Sequence, residues 1–280
     1  MAANIQATQE IDPQEYQAFK QFLEEACGIV LGDNKQYLVS SRLRRLMREH
    51  SIPSLTELVK MLKTGRNADL HAQIIDAMTT NETSWFRDNY PYNFLKEKFL
   101  QEHVAKGQKE VRIWSAASSS GQEAYSISMI IQEFLQKRPG SIQKTQIIGT
   151  DISPTMLEDA RQASYDSLTL GRGLSAERKN NFFDQSGQQW TVKPQIRERV
   201  TFKELNLMKS YSPLGRFDII FCRNVLIYFS AEVKLDILTR MTSVLRPGGY
   251  LILGGSESIG AISEKYEAVR FQNGMIFHLK

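Results

Sequence analysis

Phe217-Asp-Ile-Ile-Phe-Cys-Arg-Asn-Val-Leu-Ile-Tyr-Phe229 is the stretch from which the rest of this chain can be read. Phe217 to Cys222 is a continuous apolar run, of the length and composition of a strand buried on both faces. The run stops at two polar residues, Arg223 and Asn224. In an open parallel sheet, ligands bind in the crevice outside the carboxyl ends of the strands. Arg223, Asn224 and Tyr228 therefore stand where chemistry is expected. Further on, Leu245-Arg-Pro-Gly-Gly-Tyr-Leu-Ile-Leu253 reads as a helix end, a Pro-Gly-Gly turn and another buried strand.

Working outward, strands and helices alternate from about residue 108. Val111–Ala116 reads as a strand, Gln122–Gln136 as an amphipathic helix, and Thr145–Thr150 as a second strand closing on Asp151. Ser153-Pro154 caps a helix that runs to about Ala163, with proline at its first position. Such alternation implies right-handed βαβ units and a parallel sheet. Residues 271–280 read as a hairpin about an Asn-Gly turn, which supplies antiparallel edge strands. Residues 175–204 interrupt the alternation with a short helix, Phe182-Phe-Asp184, a polar turn and Trp190-Thr-Val192. They read as an inserted β-hairpin subdomain.

The first 80 residues read as all helix. Asp12-Pro13 starts one helix, which ends at Cys27-Gly28, and Ser54-Leu-Thr-Glu57 is a capping box for another that stops near Gly65. Asn67–Met78 is the last. The domains expected are thus a helical one at 1–80, a linker and connecting helix at 81–107, and an α/β domain at 108–280.

The totals narrow the classes. A chain of 280 residues can bury a full α/β core and hold a second domain. A net charge of +4 is too small to argue for nucleic acid. Cys27 and Cys222 match no metal or redox spacing and read as reduced thiols. The N-terminal stretch lacks a basic region followed by an apolar one, and no apolar window reaches the ~18 residues of a membrane span. A cytoplasmic protein without metal, not inserted in a membrane, is expected.

Four constellations carry the candidate chemistry. The first βα turn, Ala116-Ala-Ser-Ser-Ser-Gly-Gln-Glu-Ala124, is rich in small residues but lacks the three glycines that receive a pyrophosphate. Dinucleotide binding is thereby disfavoured. Glu123 suits a ligand ammonium, or else simply favours the N-terminus of its helix. Asp151, at a strand end, suits ribose hydroxyls, with Ser153 better placed to cap the next helix. Asn206 follows the strand Val200–Lys203 and is either an adenine ligand or a turn residue. Thr80-Asn-Glu-Thr-Ser-Trp-Phe-Arg-Asp88 is richer in hydrogen-bonding and aromatic residues than a bare linker needs, the alternative being a packed joint.

Taken together, Thr80–Asp88, Trp114-Ser-Ala-Ala-Ser-Ser-Ser-Gly-Gln-Glu-Ala-Tyr-Ser126, Asp151-Ile-Ser153, Leu205-Asn-Leu207 and Phe217–Phe229 resemble the CheR family, the chemotaxis receptor glutamate methyltransferases. The resemblance runs over almost the whole chain. It implies a class I S-adenosylmethionine (SAM) methyltransferase, a Rossmann-like α/β sheet with an N-terminal helical domain and a small inserted β-hairpin. Cofactor SAM and product S-adenosylhomocysteine (SAH) follow from it. So does a substrate, glutamate side chains on the cytoplasmic methylation helices of chemoreceptors, to whose membrane arrays such an enzyme is recruited. Carried onto matching positions, it implies that Asn81, Thr83, Arg87, Glu123, Asp151, Asn206, Leu207, Arg223 and Asn224 line the SAM site. Arg87 and Tyr228 would face the transferred methyl group.

Two features bear on the partner. Between Lys35 and His50, Val39, Leu43, Leu46 and Met47 form an apolar stripe at about 100° per residue. Arg44, Arg45 and Arg48 project opposite it, with Arg42 at the margin. Such a run is usually a solvated face; the resemblance makes these four arginines a surface for the receptor's acidic helices. The loop Asp184–Gln189 is shorter than in members that hold a tethering peptide from the receptor C-terminus, which argues against a tether here. Nucleic-acid methyltransferases of this fold commonly carry an Asn/Asp-Pro-Pro-Tyr/Phe motif where this chain has Arg223-Asn-Val-Leu, so nucleic acid is not the expected substrate. A non-catalytic docking module is the remaining rival, against which Arg87 and Tyr228 both speak.

Overall fold

The structure, a computed structural model, describes residues 11–64 and 67–280. The stretch 1–10 and the expected helix end at Gly65 lie outside the described residues. The chain divides into two compact units, the first ending at Thr79 and the second running Thr80–Lys280.

The first unit holds α1 (Pro13–Cys27), α2 (Gln36–Glu49), α3 (Leu55–Lys63) and α4 (Ala68–Met78). Local chemistry sets the ends. The Asp12 carboxylate accepts from the Gln14 and Glu15 amides, and α1 ends on Gly28 in the left-handed conformation at φ 79°. Ser54 Oγ accepts from the Glu57 amide, and Asn67 caps α4 through the Leu70 amide. Phe19, Leu23, Val39, Leu43, Leu58, Leu70 and Ile74 are wholly buried, so Val39 and Leu43 of the α2 stripe are core, while Leu46 and Met47 are half-buried.

Near the start of the second unit Trp85 and Phe86 are both buried, so the segment expected to link two domains contributes to this core. Trp85 packs edge-on against Tyr165 and Phe183, and its amide donates to the Arg172 carbonyl. Then come α5 (Tyr90–Phe94), a π-helical turn (Leu95–Phe99), α6 (Leu100–Ala105), β1 (Glu110–Ala116), α7 (Gln122–Lys137), β2 (Lys144–Asp151) and α8 (Pro154–Gln162). After β3 (Ser164–Asp166), α9 (Ser167–Gly171), α10 (Ala176–Phe182), β4 (Phe183–Ser186), β5 (Gln189–Val192) and α11 (Pro194–Arg197), the chain returns to β6 (Val200–Glu204) and β7 (Phe217–Cys222). It closes with α12 (Ala231–Val244), β8 (Leu245–Leu253), β9 (Tyr266–Phe271) and β10 (Gly274–Leu279).

One seven-stranded sheet runs β6-β2-β1-β7-β8-β10-β9, and the first five strands are parallel. β10 is antiparallel to both its neighbours. Every residue of β7 is buried, because a core lies on each face of the sheet. Ile219 and Phe221 meet the α7 side, with Ile127, Ile130 and Phe134. Ile220 and Cys222 meet the α12 side, with Ile237 and Met241.

Three sequence expectations are adjusted. The inserted subdomain is three-stranded, β3-β5-β4, so it starts at Ser164, and β6 belongs to the main sheet. A three-residue strand such as Ser164–Asp166 is too short to show alternation. The Arg246–Gly249 turn bulges out of β8, shifting its register against β7 between Phe217 and Ile219. The final hairpin turns on Gln272-Asn273, with Gly274 already paired to Phe271. Gly274 is required by packing: a Cβ there would stand 2.2 Å from the Tyr90 ring.

Glu133 of α7 pins the inserted subdomain to the main body. Its carboxylate takes Lys96 Nζ at 2.7 Å and Arg178 Nε at 2.7 Å, while the Arg178 guanidinium lies 3.8 Å above the Phe86 ring. Burial pulls the Glu133 pKa up, but hydrogen bonds from Arg178 and Lys96 outweigh it and hold the carboxyl below its ordinary 4.5. A depressed carboxylate stabilises the fold above its unfolded pKa, and the contribution is lost as pH falls through the folded value. Glu133→Gln should lower the unfolding free energy at pH 7 by about 1–3 kcal/mol. Urea titrations of both proteins should show that deficit narrowing below pH 4.5; a constant difference would remove the charge from the explanation.

Candidate functional site

The order of the main sheet reverses between β1 and β7, the switch point at which open α/β sheets bind ligands. Around it the backbone is unusually constrained. Phe86, Asp88, Asn89, Ala117, Ser119 and Asn224 all have positive φ without being glycine. Such conformations cost energy and persist only where surroundings hold them.

Arg223 is the centre of that arrangement. It is 6% exposed, at the end of β7. Its Nη1 donates to Glu123 Oε2 at 2.9 Å; its Nη2 donates to Asp88 Oδ2 at 2.6 Å and to the Arg87 carbonyl at 2.8 Å. Burial opposes the guanidinium charge, yet Tyr92, Glu123 and Asp88 keep its pKa above the ordinary arginine value. The Tyr92 phenol beside it is pushed up by burial and by Glu123, against the pull of Arg223.

Glu123 is thus more than a charge at a helix N-terminus. One oxygen holds Arg223 and the other accepts from Ser115 Oγ at 2.8 Å. A ligand ammonium at this carboxylate would share it with the guanidinium.

Asp151 ends β2 and is nearly buried. Its Oδ2 accepts from the Ser119 amide at 2.8 Å and its Oδ1 from the Ser153 amide at 3.0 Å. Ser153 Oγ, not Asp151, caps α8 through the Met156 amide. Ser119 Oγ in turn donates to the Asn81 carbonyl at 2.9 Å, tying the Asn81–Asp88 segment to the first βα turn. Thr83 and Arg87 are half-buried in that segment, and Arg87 Nη1 donates to the Glu82 carbonyl. Asn206 adopts the turn role through its Oδ1, which accepts from the Met208 amide. It is still brought to the site, since the Leu205 amide donates to the Asp151 carbonyl. Leu207 is buried and packs into the α12-side core.

Asn224, at φ 58°, begins a turn that continues into a 3-10 helix, Leu226–Tyr228. Tyr228 is half-buried there, and its hydroxyl makes no hydrogen bond among the described residues. The residue that sequence reasoning missed is Glu257. Its Oε2 accepts from the Asn224 and Gly254 amides and its Oε1 from the Val225 and Leu226 amides, all between 2.7 and 3.0 Å. The only available signal was an acid two residues beyond Gly-Gly at the end of a buried strand. Asp88, Tyr90 and Tyr92 were missed as well, because their partners lie far away in sequence.

In the first unit, Arg44, Arg45 and Arg48 are exposed on α2, and Arg45 pairs with Glu49 at 2.7 Å. Arg42 is used differently from the expected surface role. Its Nη1 donates to the Met78 and Thr79 carbonyls, satisfying the C-terminus of α4. An arginine at the margin of a stripe can reach a neighbouring helix end, which one-helix geometry does not show.

The residues at the strand ends suit SAM. The cofactor has no phosphate, and the first turn offers a buried Ser118 hydroxyl without a hydrogen-bond partner among the described residues, rather than a pyrophosphate cradle. Glycine suits position 121 because its φ is 95°, a conformation strained for other residues, and a Cβ would also crowd Ala160 and the Phe202 ring at 3.1 Å. The carboxylates of Asp151 and Glu123 suit ribose hydroxyls and an ammonium.

Counted within the main sheet, the strand order third–second–first–fourth–fifth–seventh–sixth, with the seventh antiparallel, defines a class I SAM methyltransferase fold. Residues 14–79 match the all-alpha domain of the CheR methyltransferases and residues 81–275 their SAM binding domain. The chain is 53% identical to Chemotaxis protein methyltransferase 1 of Vibrio cholerae, over 96% of this chain and 98% of that one. It is also 53% identical to Chemotaxis protein methyltransferase 1 of Pseudomonas aeruginosa, over 95% and 98%. The chain belongs to the CheR methyltransferase family. Among the described residues no helix is long and apolar enough to cross a membrane.

Arg223→Met should lose about 3–5 kcal/mol of stability, chiefly because it leaves the mostly buried Glu123 carboxylate unpaired, whereas Asp88 can turn to solvent. Arg223→Lys should recover only part, because an ammonium cannot reproduce the fork to Glu123 and Asp88. Equal stability of the lysine variant and the parent in denaturant melts would show that charge alone suffices.

Proposed function

We propose that this protein transfers a methyl group from SAM to glutamate carboxylates on the cytoplasmic helices of chemoreceptors, forming methyl esters. The observation that carries this reading is the near full-length match to chemotaxis protein methyltransferases, with the motif residues gathered at the carboxyl ends of the central strands.

SAM supplies an electrophilic methyl on a sulfonium. A glutamate side chain has a reference pKa of about 4.3 and is already ionised at neutral pH, so no general base is needed. The protein's work is then to position and to exclude water. In this reading Asp151 takes the ribose hydroxyls, and Asn206 and Leu207 flank the adenine. Asn81, Thr83, Glu123, Arg223 and Asn224 line the methionyl end. Arg87 and Tyr228 meet the acceptor carboxylate, one by charge and the other by its hydroxyl. No histidine or cysteine is asked to act.

Transfer of labelled methyl to receptor fragments, with base-labile release, tests the reaction. Asp151→Ala should weaken SAH binding by about 1–3 kcal/mol by calorimetry, the loss of a partner to a buried ligand. Arg87→Ala and Tyr228→Phe should lower kcat more than SAH affinity. A loss confined to SAH affinity, with kcat intact at saturation, would make both residues cofactor ligands.

Docking is assigned to α2, where Arg44, Arg45 and Arg48 present positive charge away from the buried stripe. Reversing all three should raise the receptor KM and leave SAH affinity unchanged. Rising salt should weaken docking of the parent too, because exposed charges are screened over about 8–10 Å near physiological ionic strength. Normal methylation by the triple variant across a salt series would return α2 to an ordinary solvated face. Only Gly187 and Gln188 connect β4 to β5, which leaves little loop for a tether, so removing the receptor's C-terminal tail should cost little.

A further inference from the structure

Glu257 belongs to none of the motifs above, yet its carboxylate takes four backbone amides of the site. It lies four residues beyond β8 and reaches across to the end of β7. Its two oxygens accept four amides: Asn224 at 2.8 Å and Gly254 at 2.7 Å on one, Val225 at 3.0 Å and Leu226 at 2.7 Å on the other. Three of the donors are consecutive, so the carboxylate sits in a concave run of N–H groups, a geometry that binds anions well. The run exists because Asn224 is left-handed, at φ 58°.

The approach is close. A Cβ on Gly254 would stand 2.7 Å from Glu257 Oε2 and 2.9 Å from Asn224 Nδ2, so only glycine admits both side chains. The turn continues directly to Tyr228, whose amide donates to the Val225 carbonyl at 3.2 Å. On either side of Tyr228, Leu226 and Phe229 are buried anchors. The position of Tyr228 therefore depends on residues 225 and 226, and both of these donate to Glu257.

We infer that Glu257 is the positioning residue for the turn that carries the methionyl and acceptor ends of the site: by taking the amides of Asn224, Val225 and Leu226 it fixes where Asn224 and Tyr228 stand. The inference rests on the methyl-transfer reading above for the roles of those two residues. Glu257 acts through the turn and does not itself meet substrate. Its charge is spent on the amides, which keeps a bare carboxylate from repelling an anionic acceptor.

The test is Glu257→Gln. The shape is retained, but one oxygen becomes an NH2 group that faces amide donors, so one pair of N–H groups loses its acceptor. Kinetics are measured well below the melting temperature of each protein, with the folded fraction checked by circular dichroism. A displaced Tyr228 should lower kcat about 10- to 100-fold, as a misplacement of about an ångström does. Receptor KM should stay near that of the parent. The amides of Asn224, Val225 and Leu226 should exchange faster while those of β1 are unchanged. Ser258→Ala, an exposed neighbour, serves as control and should behave as the parent. A folded Glu257→Gln protein with parental kcat would overturn the inference, as would a kcat loss fully explained by the unfolded fraction.

An acceptor-free arm separates this from the function itself. If the parent transfers no methyl to receptor, the proposed reaction fails and Glu257 is judged on SAH calorimetry. Affinity should then fall about 2- to 10-fold through Asn224, the worth of one hydrogen bond. Unchanged affinity in that case would overturn the inference.

Discussion

The buried guanidinium of Arg223 is the interaction on which the rest of this site depends. A charge that is 6% exposed is tolerated only when it is paired and hydrogen-bonded on several sides. The partners come from two segments: Glu123 on α7, and Asp88 with the neighbouring Arg87 carbonyl. Satisfying one cation thus forces the strand end of β7, the start of α7 and the Asn81–Asp88 segment together. The same geometry limits what Glu123 can offer a ligand, because one of its oxygens is committed to Arg223 and the other to Ser115.

Backbone conformation is the second constraint. Left-handed residues without glycine cluster in the segments that meet at the strand ends. Three of them have their amides held from elsewhere, Phe86 by Ser126 Oγ at 3.2 Å and two by carboxylates. The Ser119 amide is fixed by Asp151, and the Asn224 amide by Glu257. Asp151 and Glu257 act on amides, as carboxylates do in caps and nests, and through them they shape loops. An enzyme that transfers a methyl to an ionised acceptor gains its rate from placement, so rigid loops serve it better than a titrating side chain.

The helical unit shows how far a stripe argument carries. Val39 and Leu43 are wholly buried, and Arg44, Arg45 and Arg48 are exposed, as the 3.6-residue period requires. Arg42 departs from that pattern of use. Its donors go to the carbonyls that end α4, a demand created by a different helix.

What the amino-acid order determined alone was local. Runs such as Phe217–Cys222, caps such as Asp12 and Ser153, and the small residues of the Ala116–Gly121 turn specify strands, helix ends and a ligand-facing loop through short-range sterics and hydrogen bonding. The resemblance of whole motifs added the cofactor and the chemistry. Partnerships between distant segments were decided only by tertiary structure. Glu123 and Arg223 are 100 residues apart, Asp88 and Arg223 are 135 apart, and Glu257 meets Asn224 across 33. β3 shows the same limit, since three residues become a strand only because β5 is there to pair with. A carboxylate in the sequence carries its charge but not the identity of its donor. That donor is chosen when the sheet brings the strand ends together and burial makes every unpaired polar group costly.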